Sequence, residues 1–192
     1  VWIIDQGGIM AVETSAEFMQ EAVTRMITLV QDAVSTGNWP FPSAIFLAPE
    51  ELEGGFPIVP FPPNDGSEER QQFCAALGYA IASGELPEAP NPRAVFILSE
   101  VWYTEGEAEG SRPSESPNKK EALVIAGLAS DGEQIVSFGT ITRRTDASVE
   151  SIEFDDSSMN ATRMYTLEYF WEGYTQALLE KSGAKNKPQK LH

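Results

Sequence analysis

The chain predicts an α+β domain: a mostly antiparallel central sheet of about five strands with helices packed on its faces. Apolar residues recur at helical spacing in three stretches, near the start, in the middle and at the end. Between them lie short apolar runs of strand length, rich in Ile, Val and Phe. Asp131-Gly132 falls between two such runs, the strongest short-range hairpin signal a sequence offers. The expected order is helix, strand, strand, helix, three strands, helix. With 192 residues, 42% of them hydrophobic, the chain can fill one core, and a single domain is expected over 1–183, followed by a flexible basic C-terminal tail at 184–192.

The first helix opens at Thr14, which with Glu17 reads as a capping box. Phe18, Ala22, Met26, Leu29 and Ala33 follow at helical spacing, beside Met19, Val23, Ile27, Val30 and Val34, until Gly37 stops the helix. So wide a stripe suits a helix laid against a sheet. Ser43 to Ala48, closed by Pro49, has the length of a buried strand. Phe56 to Phe61 is strand-like, but Pro57 and Pro60 cannot donate to a ladder, which confines it to a sheet edge or an extended loop. Pro57-Ile58-Val59-Pro60 also has the spacing of a polyproline ligand, although an edge guarded by prolines is the simpler account. Asp65-Gly66-Ser67 opens the second helix; Phe73, Leu77, Ala80 and Ile81 share its face, Cys74 lies beside them, and Gly84 ends it. The stiff stretch from Leu86 to Pro92 leads into Ala94-Val95-Phe96-Ile97-Leu98, apolar on both faces and hence a central strand.

A two-residue turn at Asp131-Gly132 would set the hairpin register. Leu123, Ile125, Val136 and Phe138 then point to one face, and Val124, Ala126, Leu128, Ile135 and Ile141 to the other. Ala147 to Phe154 alternates weakly, with Ile152 and Phe154 on one side, and offers one more strand before Asp155-Asp156-Ser157-Ser158 breaks it. Met164, Leu167, Trp171, Tyr174 and Leu178 mark the third helix, ended by Gly183.

This element order resembles the roadblock and profilin-like modules, and the resemblance implies a helix pair on an antiparallel sheet and a dimerising scaffold role. A second, local resemblance rests on Ser99-Glu100-Val101-Trp102 and on Arg112-Pro113-Ser114-Glu115-Ser116-Pro117. The pattern is similar to one in an uncharacterised bacterial and phage protein family, where a strand ending in Ser-Glu precedes an Arg-Pro-Ser-Glu loop. It implies a shared fold and no particular chemistry.

Composition removes several function classes. The net charge is -16, from 29 acidic and 13 basic side chains, so nucleic acid and anionic membrane surfaces are poor partners. No apolar run reaches the roughly 18 residues of a spanning helix, and Val1-Trp2-Ile3-Ile4 is too short for an export signal. Val1 is not an initiator methionine, so residues can be missing upstream. A soluble, cytoplasmic protein is expected, because the lone Cys74 forms no intrachain disulfide and fits a reducing compartment. His192 is the only histidine, which argues against most zinc sites and most hydroxyl or thiol nucleophile machinery. No Asp-x-Lys or Glu-x-Lys of a metal-dependent nuclease and no phosphate-binding glycine loop occurs. Glu153, Asp155 and Asp156 offer oxygen ligands without EF-hand spacing, and capping the following helix is their stronger account. No metal, cofactor or catalytic residue is assigned.

Glu100 is the acid to watch. Its neighbours at two-residue spacing, Phe96, Leu98 and Trp102, are large and apolar, so a strand would hold its carboxylate partly desolvated. Arg112, Lys119 and Lys120 are the nearest basic residues if the following loop folds back, and Glu100, Arg112, Ser114, Glu115, Asn118 and Lys119 together form a candidate site for a small anion. The aromatic run Tyr165, Tyr169, Phe170, Trp171 and Tyr174 is wider than one core seam needs and can mark a partner surface. The sequence alone names no activity. Its preferred reading is a non-catalytic interaction or scaffold domain that self-associates or binds a protein partner; the rival is a small-anion-binding protein or an enzyme that uses Glu100 and the Arg112 to Lys120 loop.

Overall fold

The structure is a computed structural model, described here over residues 2–5, 8–11, 14–38, 43–52, 55–61, 67–87, 89, 91–104, 116–154 and 165–183. Helix α1 (Ser15–Ser35) begins where the capping motif predicts: the Thr14 side chain accepts from the Glu17 N–H, and the Glu17 carboxylate accepts from the Thr14 N–H at 2.9 Å. Helix α2 (Ser67–Ser83) and helix α3 (Tyr165–Lys181) complete the helical set. Gly37, Gly84 and Gly183 follow the three helices at φ values of +69°, +84° and +70°, the left-handed backbone that ends a helix cheaply only at glycine.

Between the helices run β3 (Ser43–Pro49), β4 (Ile58–Pro60), β5 (Pro92–Tyr103), β6 (Lys120–Ala129), β7 (Gln134–Arg143) and β8 (Val149–Phe154). They form one six-stranded sheet in the order β4-β3-β5-β6-β7-β8, every neighbouring pair antiparallel. The fold is therefore α+β as expected, and the order matches the expected one roughly, with four strands rather than three after α2. The extra strand, β8, is the weakly alternating stretch, and the proline-bearing β4 takes an edge. At the N-terminus β1 (Trp2–Asp5) pairs with β2 (Gly8–Ala11) in a separate two-stranded sheet, an element the sequence reading does not contain.

The β6–β7 hairpin corrects the expected register. Leu128 pairs with Gln134, the Ala129 N–H donates to Glu133 O, and the Gly132 N–H donates to Ala129 O, so three residues rather than two form the loop. Gly132, at φ +95°, occupies the left-handed position that such a loop requires. One additional loop residue turns every β7 side chain over relative to β6. Leu123 and Ile125 consequently share a face with Ile135 and Ile141, while Val124 and Ala126 share the opposite face with Phe138 and Val136. The β7–β8 hairpin repeats the arrangement: the Arg144 N–H donates to Ser148 O, the Ala147 N–H donates to Arg144 O, and Ala147 stands at φ +67° where the first hairpin has glycine.

The sheet is the middle of three layers. On one side Phe18, Met19, Ala22, Val23, Met26 and Val30 of α1 pack against Phe96, Leu98, Leu123, Ile125, Ile141 and Ile152. The β6–β7 turn also grips the start of this helix, where the Ser15 hydroxyl donates to Asp131, and the Arg93 guanidinium lies 4.2 Å from the Phe18 ring centre. On the other side Cys74, Leu77 and Ile81 of α2 and Leu167 and Phe170 of α3 cover Ile45, Leu47, Val95 and Leu128. The two helices touch at glycines. A Cβ on Gly78 would stand 2.1 Å from the Phe170 carbonyl oxygen, and one on Gly173 would stand 2.0 Å from that of Ala75. This close approach rotates α3 from the expected seam: Leu167, Phe170, Gly173 and Ala177 are buried, whereas Leu178 is exposed. Tyr169, Trp171 and Tyr174 pack against the second core, and the Trp171 indole N–H donates to Leu128 O at 3.2 Å.

Candidate functional site

Glu100 continues the row Phe96, Leu98 on the face toward α1 and pairs in register with Leu123. Past Leu123 the apolar core gives way to charge. Glu121 follows two residues before it on β6, and Arg143 ends the neighbouring β7 just beyond the pair of Ala122 with Thr140. The Arg143 guanidinium donates to the Glu100 carboxylate at 2.9 Å, to the Glu121 carboxylate through its Nε, and to Ala147 O at 3.1 Å. One cation thus ties three adjacent strands and the β7–β8 turn. The side chains of Arg143, Glu100 and Glu121 are 30%, 27% and 22% exposed, dry enough for the pairing to matter and wet enough to avoid a full desolvation cost. Hydrogen bonding to Glu121, reinforced by both carboxylate charges against some desolvation, holds Arg143 above its ordinary range.

Two shallow hollows flank this guanidinium. An open one of about 470 Å³ is bordered by Trp102, Lys119, Lys120, Glu121, Thr140 and Arg143. Trp102 is 45% exposed there, and the Lys119 ammonium lies 4.6 Å from its ring centre, a cation–π contact. The other, about 300 Å³, separates Val34, Ser35 and Gly37 at the end of α1 from Arg143, Arg144 and Ser148. The last turn of α1 carries no basic residue, so these two arginines place positive charge near its negative pole.

Of the residues singled out from sequence, Glu100 and Lys119 come to the same end of the sheet, and the Asn118 N–H donates to Ser116 Oγ at 3.1 Å in the turn that precedes β6. Arg112, Ser114 and Glu115 lie outside the described residues, as do Asp155, Asp156 and the tail at 184–192. Sequence reasoning missed Arg143 and Glu121. The signal was the hairpin itself: a two-residue turn assigns Arg143 to the face of Lys120, and only the three-residue loop brings it to the face of Glu121. Cys74 is fully buried, and desolvation, partly opposed by the charge of Arg70, pushes its thiol up to about 12. Among the described residues no group of three or more His, Cys, Asp or Glu side chains is arranged to hold a metal ion, and no helix is long and apolar enough to cross a membrane. Comparison with protein-family models, curated proteins and solved structures finds no match to the chain.

Proposed function

We propose that the protein is a non-catalytic interaction domain that associates with a second copy of itself. The engagement of Glu100 supports this reading most directly. A general acid or base must reach a substrate proton, and the acid best placed for that task is tied to a guanidinium it shares with Glu121. Cys74, sealed in the second core with its thiol pushed up to about 12, offers no nucleophile. The same role is what the resemblance to roadblock-type scaffolds implies. Light scattering from about 1 μM to about 300 μM tests it, since weak self-association becomes visible in that range. The weight-average mass should climb from one chain toward two; a mass fixed at one chain throughout would overturn the proposal.

A second reading, a small-anion site, is favoured by the hollow beside Trp102, where Lys119, Lys120 and Arg143 gather. Calorimetric titration with inorganic phosphate and with citrate separates the two: saturable heat lost in Lys119→Ala supports the anion site, and no heat with either ligand counts against it.

A further inference from the structure

Resting on the self-association proposed above, we infer that the contact is made by the sheet face turned away from α1, on the part of β5 to β8 that α2 and α3 leave uncovered, and that its occupant is the same face of a second copy. The two faces of these strands differ sharply. Toward α1, Leu98, Leu123 and Ile125 are no more than 1% exposed. On the reverse, Val101, Tyr103, Val124, Val136 and Phe138 stay half-buried although strands flank them on both sides, and Thr140 is exposed. The second core takes in Ile45 and Leu47 of β3, Val95 and Ile97 of β5 and Leu128 of β6, and no residue of β7 or β8.

Charge selects the occupant. Two chains of net charge -16 repel each other over most of their surfaces. Yet at the alternating positions of this face, 99 to 103 on β5, 120 to 128 on β6 and 134 to 142 on β7, there is no carboxylate and Lys120 alone is charged, and β8 adds a single carboxylate at the rim, Glu153 in register with Thr140. Two copies meet here at the least electrostatic cost. Tyr103 and Phe138, in edge-to-face contact with ring centres 4.9 Å apart, supply aromatic anchors within the patch. Edge-to-edge joining is the disfavoured alternative: β4 carries Pro60, and β8 carries the exposed Glu150 and Glu153 with a register shift at Thr142/Arg143. Four strands about 4.8 Å apart and about eight residues long cover on the order of 500 Å². A standard interface buries roughly 800 Å² per partner, so the dimer should be weak and concentration-dependent.

The test compares dimer dissociation constants, by sedimentation equilibrium, of the unaltered chain, Thr140→Glu, Val136→Lys and Leu29→Lys, the last on the outer side of α1. Thr140 is exposed, so Thr140→Glu should stay folded, with a small drop in melting temperature because Glu153 stands opposite it in register, and it decides the matter even if Val136→Lys folds poorly. The expected result is a rise of about tenfold or more in the dissociation constant for Thr140→Glu and Val136→Lys, and none for Leu29→Lys. A dimer untouched by Thr140→Glu and by a folded Val136→Lys overturns the assignment of this face while self-association stands, as does weakening by Leu29→Lys alone. An unaltered chain that stays monomeric up to about 300 μM overturns self-association itself and this face with it.

Discussion

Arg143 holds the end of the sheet at which the apolar core stops. Its removal would leave Glu100 and Glu121 side by side, each partly shielded from water and without the guanidinium that joins them. Arg143→Ala should therefore cost about 1–3 kcal/mol, which at this chain length lowers the melting temperature by roughly 2–10 °C in thermal unfolding followed by circular dichroism. Adding Glu100→Gln and Glu121→Gln to that variant should recover part of the loss, because amides neither repel nor require a counter-ion. Cys74 makes the opposite case, a reactive group made inert by burial. Iodoacetamide at about pH 8 should leave the native thiol unmodified and alkylate it once the chain unfolds. Glu100 was legible in the sequence because one strand's alternation exposes an acid among large apolar neighbours. Arg143 was not, because its relation to Glu121 depends on a loop length that the Asp-Gly signal leaves open.

At the scale of elements, the helix starts and stops were written in local chemistry: a threonine and a glutamate three residues apart at the start of α1, and a glycine after each helix. The β7–β8 turn escaped notice because alanine fills its left-handed position. It otherwise matches the β6–β7 turn, with Asp146 accepting from the Ser148 N–H as Asp131 accepts from the Glu133 N–H. Left-handed backbone costs a residue with a Cβ about 1–2 kcal/mol, against about 0.5–1 kcal/mol of extra unfolded-state freedom for glycine. Ala147→Gly should thus raise the melting temperature by about 1–3 °C, read by differential scanning calorimetry. The seam of α3 was misplaced for a related reason. Periodicity searches weigh large side chains, and here the helices meet through residues that have almost none. Gly173→Ala drives a methyl into the Ala75 carbonyl, and a loss of about 1–3 kcal/mol or more is expected from urea unfolding.

For the molecule as a whole, pH acts in two opposing ways. Glu17, Asp131, Asp146 and Glu180 are all held below their ordinary values by hydrogen bonds they accept, from Thr14, Ser15, Ser148 and Gln176 respectively. A carboxylate lowered on folding stabilises the native state above its unfolded pKa, and that contribution is lost as pH falls through the folded value. Against this, the repulsion implied by a net charge of -16 relaxes as carboxylates begin to protonate. The melting temperature should hold or rise from about pH 7 to about pH 5 and then fall below about pH 4, and Asp131→Ala should shrink that acid-side drop. The layered plan was readable from the element order, and the separate N-terminal hairpin was not, since a four-residue apolar run carries no record of its pairing.

The docking of α1 bears on how the chain is made. Its backbone comes nearest to β6, β7 and β8, although Phe46 of β3 and Phe96 and Leu98 of β5 share its core. At the usual pace of elongation, about 5–20 residues per second, about 120 residues follow the end of α1 before β8 is complete. For several seconds the greasy stripe of α1 waits with only part of its native cover, and that interval is where a chaperone would be needed most.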